Sequence, residues 1–203
     1  MNPLWLACLE LCLEAIDAGS LGIAAVITDG DAAIISRGRN QLFDSADSVN
    51  TIQNTLVSHA EVNAIAGLPM RFRRDKSISL YTTVEPCPMC LGAVAMSPIR
   101  QVVIASRDPY AGACAIAREN PWMSRKKIRF EFESGQVERI FASLHVYSLL
   151  QRRDLPVDHP FYVTIQEQYP MVFESMISSR NGTELATAIR ARDVRRVTEL
   201  CSG

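Results

Sequence analysis

Neither sign of charge is in excess in this sequence. Its 21 lysine and arginine residues face 22 aspartate and glutamate residues, for a formal net charge of −1 at pH 7. A chain so close to neutrality has no overall field that attracts nucleic acid or an anionic membrane, although a local basic patch is not excluded. The balance therefore counts against a polynucleotide substrate.

Long hydrophobic runs are also missing. No apolar stretch reaches the roughly 20 residues that a membrane-spanning helix needs, and the start of the chain lacks the basic and apolar regions of a signal peptide. With 203 residues the chain is long enough to bury a full core without a framework of disulfides. We therefore expect a cytoplasmic protein that does not associate with membranes.

Histidine is scarce, with three residues in the chain: His59, His145 and His159. His59 begins a stretch that ends with two closely spaced cysteines, Cys87 and Cys90. One imidazole and two thiolates make three donors, the number that a catalytic zinc takes while its fourth position stays open for water. A structural zinc would need a fourth protein ligand, and the other cysteines show no paired short spacing around this stretch: Cys8, Cys12, Cys114 and Cys201. We therefore predict an open metal site.

Both metal-binding segments are predicted to begin helices. Proline is tolerated in a first helical turn, where its missing N–H would have no partner, so Pro86 and Pro88 suit the start of the segment that carries the cysteines. The positive end of the helix dipole favours thiolate over thiol at that point. Glu61 follows His59 by two residues, which is too close to share the metal but well placed to face a metal-bound water. Glu61 is therefore the candidate proton shuttle.

Each of these motifs has a structural alternative when it stands alone. Ser58 and Glu61 fit a capping box, in which Glu61 would only fold back onto the backbone of its own helix. Cys87 and Cys90 alone fit a redox pair or half of a zinc ribbon. The motifs occur together in the expected order, each at a predicted helix start, and this combination favours the metal site.

The pairing of His59-Ala60-Glu61 with Pro86-Cys87-Pro88-Met89-Cys90 is the H-x-E and P-C-x-x-C signature of zinc-dependent deaminases. The wider run from Leu80 to Ala93 resembles the guanine deaminase and tRNA adenosine deaminase branch of the cytidine deaminase-like superfamily. The resemblance covers roughly residues 1 to 135. We therefore expect an α/β fold, a three-layer α/β/α sandwich with a mixed five-stranded sheet, and a homodimer with one Zn²⁺ per chain.

The resemblance implies a zinc-dependent hydrolase that acts on the C–N bond of a cyclic amidine. Zinc lowers the pKa of bound water from 15.7 to about 7, so that a hydroxide is present at neutral pH. That hydroxide attacks the amino-bearing ring carbon. Glu61 then moves the proton, first to the ring nitrogen and later to the departing ammonia.

Further residues are expected to contact the substrate. Asn40 begins a long irregular loop and offers a donor and an acceptor together, and related deaminases carry an asparagine here. Asp108 and Tyr110 follow a predicted strand at the edge where open α/β sheets bind ligands. All three also fit ordinary turn residues. The remaining expected contacts lie beside the metal-binding residues: Ala60, Glu85 and Pro86.

Hydrophobic periodicity and turn residues predict the elements of a deaminase domain over residues 1–153. The predicted helices cover 4–17, 59–67, 87–96, 114–118 and 137–153, and the predicted strands cover 22–28, 32–36, 77–83, 101–106 and 128–132. Asp29-Gly30-Asp31 predicts a hairpin in which Gly30 supplies a positive φ. The last helix is predicted to be amphipathic, and His145 inside it to be structural.

Residues 154–203 are predicted to form a helical extension beyond the family core. A helical stretch over 161–179 is interrupted at Pro170, Asn181-Gly182 ends it, and a final helix runs to about Leu200. Two uses are open, packing across a dimer interface or covering the pocket mouth. Some guanine deaminases use their C-terminal segment as a lid, so the resemblance implies the second use. The candidate covering residues are Phe161, Tyr162 and Phe173.

We expect the substrate to be a free nucleobase or small nucleoside of the guanine or cytosine type. The alternative is deamination of adenosine in tRNA. Two features favour it: the basic turn from Arg71 to Lys76 and the loop that contains Asp108. A non-catalytic, zinc-stabilised binding module is a further alternative, but it leaves Glu61 without a role. The choice of purine or pyrimidine depends on a pocket volume set by several loops, which the sequence does not determine.

Overall fold

The computed structural model describes residues 1–44, 52–152, 156, 158–179 and 184–202. The strands are β1 Ala24–Thr28, β2 Ile34–Arg39, β3 Ser79–Val84, β4 Gln101–Ser106 and β5 Arg129–Phe132. The helices are α1 Pro3–Asp17, α2 Ala60–Ala66, α3 Pro88–Met96, α4 Ile116–Glu119, α5 Pro121–Ser124, α6 Gln136–Gln151, α7 Pro160–Gln168, α8 Pro170–Ser179, α9 Glu184–Arg190 and α10 Val194–Ser202. None of these described helices is long and apolar enough to cross a membrane.

The strands form one mixed sheet in the order β2-β1-β3-β4-β5. β1 is antiparallel to both β2 and β3, whereas β3, β4 and β5 run parallel. β4 is buried at every position after its first residue, as expected of a parallel strand covered on both faces. The predicted mixed five-stranded sheet is confirmed.

Helices cover both faces of this sheet. On one face α2 and α3 share an apolar cluster that includes Val102 and Ile104 of β4. On the other face α1 and α6 share a second cluster that includes Val103 and Ala105. Successive residues of a strand point to opposite faces, so β4 contributes to both layers. The predicted three-layer α/β/α sandwich is confirmed, and the two helices of the metal site lie on the same face.

The β1–β2 hairpin turns differently from the prediction. The Asp29 Oδ1 atom accepts hydrogen bonds from the backbone N–H groups of Asp31 and Ala33, at 3.0 and 2.9 Å. The residue with a positive φ is Ala32, at 63°, and not Gly30. Because the aspartate side chain organises the turn, no glycine is needed in the left-handed region. The sequence predicted the hairpin correctly but assigned the positive φ to the wrong residue.

The C-terminal extension packs against α1 and α6. Its contacts run from α8 and α10 to α6 and from α9 to α1, and apolar side chains such as Ile165, Met176 and Ile189 join the cluster beneath α1 and α6. As a result, α6 is buried on all sides from Ile140 to Leu150. The prediction that one face of α6 is exposed to solvent was wrong, because the extension covers that face.

The extension has one more break than predicted. The interruption at Pro170 is confirmed, because α7 ends before it and α8 begins there. The predicted single final helix is wrong. Arg192 takes a φ of 52° between α9 and α10, and the Asp193 side chain accepts a hydrogen bond from the backbone N–H of Arg196 at 2.9 Å, which starts a new helix. The predicted break at Asn181-Gly182 lies outside the described residues.

The start of α2 is held tightly against β2. A Cβ atom on Gly38 of β2 would overlap the backbone oxygen of Ala60 and the backbone nitrogen of Ala64. Two residues earlier, the Ser36 hydroxyl donates a hydrogen bond to the Ala64 carbonyl at 2.6 Å. A helix can approach a strand this closely only where the strand carries no side chain. The glycine therefore determines where α2 begins relative to the end of β2.

We expect Gly38→Ala to lower the free energy of unfolding by about 2 kcal/mol or more, because the backbone of α2 must move to make room. The matched control is Gly92→Ala in α3, where nothing lies within 4 Å of the added Cβ. That change should leave the free energy of unfolding unaltered or raise it by about 0.5–1 kcal/mol, since alanine is the better helix former. Urea unfolding measures both variants. A Gly38→Ala protein as stable as the wild type would contradict the close approach.

Candidate metal centre and active-site cavity

Two helix starts carry the candidate metal ligands. His59 is the N-cap residue of α2 and Cys87 is the N-cap residue of α3, and both have the extended backbone typical of that position. Cys90 lies in the first turn of α3, behind Pro88 at the first helical position. Neither N-cap side chain makes a capping hydrogen bond to its own helix. Both side chains are therefore free to face each other.

The donor atoms of this cluster have the spacing of a tetrahedral zinc site. His59 Nδ1 lies 3.7 Å from Cys87 Sγ and 3.5 Å from Cys90 Sγ, and the donor atoms all lie within 4.8 Å of one another. A tetrahedral zinc with ordinary Zn–S and Zn–N bonds separates such donors by about 3.6–3.8 Å. The two distances from His59 to the sulfurs therefore match those of a zinc site, and all three donors lie close enough to share one ion.

Within the described residues, this cluster is the one group of three or more histidine, cysteine or carboxylate side chains able to hold a metal ion. It offers three ligands and no fourth. Three protein ligands are the mark of a catalytic zinc, whereas structural zinc sites use four. The arrangement matches the open site predicted from the sequence.

Hydrogen bonds inside the cluster shift its pKa values. The hydrogen bond from Cys90 lowers the pKa of the Cys87 thiol to about 4, and His59 acts in the same direction. The same contact with Cys87, together with burial, raises the pKa of Cys90. The hydrogen bond to Cys87 raises the pKa of His59. A thiolate is thus stable here, and a divalent cation at the same point would take the place of the shared protons.

Glu61 projects from the first turn of α2 to the edge of the cluster. Its side chain is only 4% exposed. One carboxylate oxygen accepts a hydrogen bond from the Thr82 hydroxyl at 3.2 Å, and the other lies 3.4 Å from the Cys90 sulfur, which donates to it. Burial raises the pKa of this carboxyl group. Glu61 is therefore a buried proton acceptor held beside the metal ligands.

The capping-box alternative for Glu61 is wrong. The N-cap residue of α2 is His59, not Ser58. The Ser58 hydroxyl instead contacts the Thr55 hydroxyl at 3.1 Å and accepts the Thr55 backbone N–H at 3.2 Å. The serine stabilises the turn before the helix, which leaves the Glu61 carboxylate available for the site.

A cavity of about 180 Å³ opens beside the cluster and is lined by His59, Glu61 and Cys87. The expected substrate contacts that also line it are Asn40, Ala60, Glu85, Asp108 and Tyr110. Pro86, the remaining expected contact, does not line it. That proline is buried, and its carbonyl accepts a hydrogen bond from the backbone N–H of Ala113 at 3.0 Å. Pro86 joins the end of β3 to the loop after β4 and does not face the cavity.

Asn40 is held at the cavity wall by backbone contacts. Its N–H donates to the Ile23 carbonyl at 2.9 Å, and its Oδ1 accepts the N–H of Leu42 at 3.2 Å. The residue is only 1% exposed. The loop that follows is anchored by an ion pair between Arg39 and the buried Asp44, at 2.6 Å. The side-chain amide of Asn40 is therefore presented from a fixed backbone.

The loop after β4 forms another part of the wall. Asp108 Oδ1 accepts the backbone N–H groups of Tyr110 and Ala111, each at 3.0 Å, so the predicted turn role of this aspartate is confirmed. Glu85 at the end of β3 accepts the N–H of Cys114 at 3.2 Å and ties the loop to the sheet. Asp108 thus both shapes the turn and faces the cavity.

Aromatic side chains from the extension reach this cavity. Phe161 of α7 lines it, and its ring lies 5.8 Å from the ring of Tyr110 and 5.9 Å from that of His145. The ring of His159 also lies 5.8 Å from Tyr110. The two other covering residues considered from the sequence, Tyr162 and Phe173, are buried in the apolar core instead.

Sequence reasoning missed the contribution of α6. His145, which we expected to be structural, lines the cavity together with Leu149 one turn later. The signal was a histidine in the middle of a strongly apolar helix, where a polar ring needs a partner. Reading α6 as amphipathic hid this signal, because it assigned one face of the helix to solvent.

A larger groove, of about 800 Å³, lies between the end of α1, α6 and α9. Its lining includes Asp17, Arg152 and Arg190 but no member of the metal cluster. Size alone therefore does not identify the active site, and the chemistry of the donor set places it in the smaller cavity.

The protein-family model for the cytidine and deoxycytidylate deaminase zinc-binding region matches residues 4–106 of this chain. This chain belongs to that deaminase family. Zinc is thus confirmed as the cofactor, and the cluster of His59, Cys87 and Cys90 is a group of side chains that could hold it.

Relatives within the deaminase family differ in their substrates. The chain is 38% identical over 87 residues to a guanine deaminase of Bacillus subtilis. The aligned region covers 41% of this chain and 50% of that protein. The chain is 31% identical over 107 residues to a tRNA-specific adenosine deaminase of Haemophilus influenzae, covering 52% and 57%. The chain thus spans about half the length of these two curated relatives.

A solved structure described as a tRNA:A34 deaminase has the same fold. It superposes with a TM-score of 0.50 at 24% identity and covers 64% of this chain and 94% of the other. This likeness supports the cytidine deaminase-like sandwich over the domain that carries the metal site.

Removing one sulfur should abolish zinc binding, whereas removing a neighbouring thiol should not. We expect Cys90→Ala to lower the zinc content from about one ion per chain to a small fraction of that, because two ligands hold zinc far more weakly than three. Cys114→Ala removes a buried thiol that adjoins Glu85 but lies outside the cluster, and it should keep its zinc. Metal analysis after dialysis measures both, and equal zinc loss in the two variants would contradict the ligand assignment.

Proposed function

We propose that this protein hydrolytically deaminates a free nucleobase or a small nucleoside of the guanine or cytosine type. The observation that carries the proposal is a buried carboxylate beside three zinc ligands, at the wall of a cavity about the size of one ring system. Family membership supports the reaction type. The size and closure of the cavity support the substrate class.

The reaction replaces an exocyclic amine with oxygen. His59, Cys87 and Cys90 would hold the zinc ion, which would supply Lewis acidity and a source of hydroxide at neutral pH. Glu61 accepts the proton that the attacking water loses and donates it to the ring nitrogen beside the reacting carbon. It then takes the remaining proton of the added oxygen and donates it to the amine, which leaves as ammonia while the oxygen becomes the carbonyl of the product. The position of Glu61, within contact of Cys90, supports this role.

Other cavity residues orient the ring. The backbone N–H of Ala60, in the first turn of α2, is one of the helix-start donors without an intrahelical partner and suits an electronegative atom of the substrate. The amide of Asn40 offers both a donor and an acceptor. Asp108 and Glu85 hold the far wall through bonds to the loop after β4. These groups together position the amino-bearing carbon toward the metal.

The cavity favours a small substrate. Its volume of about 180 Å³ is below the range of roughly 300–1,000 Å³ typical of pockets for drug-sized ligands. The ring of Tyr110 contacts those of His159 and Phe161 beside it, and the last two belong to the extension. A cavity of this size therefore favours a free base over a nucleotide held within an RNA stem-loop.

Deamination of adenosine in tRNA is the second candidate function. It is supported by the Haemophilus influenzae relative, whose name states that activity. The basic turn that suggested RNA binding, including Arg71, Arg73 and Arg74, is exposed and does not line the cavity. Inosine formation in an anticodon stem-loop, with no ammonia released from free bases, would favour this function. The homodimer stays a prediction. The non-catalytic, zinc-stabilised binding module also stays a prediction, and it leaves Glu61 without a role.

We expect ammonia release from at least one of guanine, cytosine, isocytosine, adenine and their nucleosides. Glu61→Gln keeps the shape of the side chain but removes its basicity, so kcat should fall by about a hundredfold or more. The zinc content of the variant should match the wild type, since Glu61 is not a ligand. Full activity in Glu61→Gln would rule out the proton shuttle.

The covering role of the extension predicts different effects for two of its buried phenylalanines. Phe161 lines the cavity and Phe173 lies in the core, and they are 6% and 7% exposed. Phe161→Leu should raise KM for the base about fivefold or more by removing ring contact with the substrate. Both variants should lower the melting temperature by similar amounts, because both side chains are buried. Phe173→Leu, however, should leave KM unchanged. Equal KM values in the two variants would show that the extension has no part in substrate binding.

A further inference from the structure

His145 is a polar residue at the centre of α6 that neither binds the metal nor has another function described above. His145 lies in a run of buried residues from Ile140 to Leu150 and is itself 5% exposed. Its side chain lines the active-site cavity, on a wall contributed by neither of the two metal-binding helices. Its ring contacts the edge of Phe161, whose ring centre is 5.9 Å away.

The described part of the chain offers the ring nitrogens of His145 no hydrogen-bond partner. The one side-chain hydrogen bond found at this residue in the described chain runs from the Ser148 hydroxyl to the His145 backbone carbonyl, at 2.8 Å. The Ser148 hydroxyl in turn accepts the N–H of Gly22 at 2.9 Å, so this neighbour of His145 on α6 is fully paired. The ring nitrogens of His145 are not among the fully enclosed polar atoms that lack a partner, and the residue lines the cavity, so an incoming ligand can reach and bond them.

The electrostatic surroundings keep this ring neutral. Burial lowers the pKa of His145, and the charge of Asp108, across the same cavity lining, opposes the shift only in part. A neutral imidazole carries one N–H donor and one acceptor nitrogen. Nucleobases carry both kinds of partner, ring N–H and amine donors as well as ring-nitrogen and carbonyl acceptors, so a ring nitrogen of His145 that faces the cavity can bond one of them in either tautomer. Leucine at this position would fill the space without these bonds.

We propose that His145 is a substrate-binding residue that hydrogen-bonds the ring edge of the nucleobase and so contributes to its selection. This inference rests on the proposed function and deepens it. The ligand class is a planar heterocycle with neighbouring donor and acceptor atoms. His145 would read that edge from α6, while Glu61 and the metal ligands act on the amino-bearing carbon.

The test compares three variants of the full-length zinc protein on the base that the wild type deaminates fastest in the panel above. His145→Leu should raise KM about tenfold to a hundredfold, the effect of losing one or two hydrogen bonds in a buried site. Its kcat should stay within about threefold. His145→Gln keeps a donor and an acceptor and should recover part of the lost affinity. Ser143→Ala removes a buried polar group from the same helix, away from the cavity lining, and should leave KM unchanged.

Zinc content and melting temperature are measured for every variant, so that a structural role is distinguished from substrate binding. Loss of stability with an unchanged KM in His145→Leu and His145→Gln would assign the histidine to packing and overturn the inference alone. If His145→Leu does not fold, the KM of His145→Gln decides between the two roles, and a value equal to the wild type overturns the inference. A wild-type protein that turns over no base overturns the proposed function, and this inference with it.

Discussion

The site depends on two N-cap residues whose side chains do not cap their helices. An N-cap side chain normally accepts a hydrogen bond from the first turn, and its loss typically costs about 1 kcal/mol. His59 and Cys87 forgo that bond and turn toward each other. A metal ion bridging them can offset this cost, because binding to a preformed cluster stabilises the fold. At the start of α2, Ala60 lies at the cavity wall, where its backbone N–H could bond a substrate.

The rest of the fold holds these helix starts in place. β2 approaches α2 at Gly38, and β3 leads through Glu85 and Pro86 into α3. The parallel pairing of β3 with β4 brings the loop after β4 to the same edge of the sheet. Ligand sites in open α/β sheets form at this edge, beyond the carboxyl ends of the strands. The metal, the cavity and the loop around Asp108 therefore meet because of strand order.

Local patterns predicted most of the chemistry and most of the elements. The ligands follow from the spacing of His59, Cys87 and Cys90, since side chains near two helix starts need little long-range information to be recognised. The predictions failed where a distant part of the chain decides the outcome. α6 looked amphipathic until the extension covered its second face, and that interpretation hid the position of His145 at the cavity wall. The break at Arg192 likewise depends on a single left-handed residue that no composition signal marks.

X-ray absorption at the zinc edge of the purified protein tests the central claim most directly. The account predicts two sulfur neighbours at about 2.3 Å and two lighter nitrogen or oxygen neighbours near 2.0 Å, with imidazole scattering from one ring only. Such a shell matches Cys87, Cys90 and His59 with one position left to solvent. A third sulfur, or scattering from a second imidazole, would mean that a further protein ligand closes the site and would contradict the account.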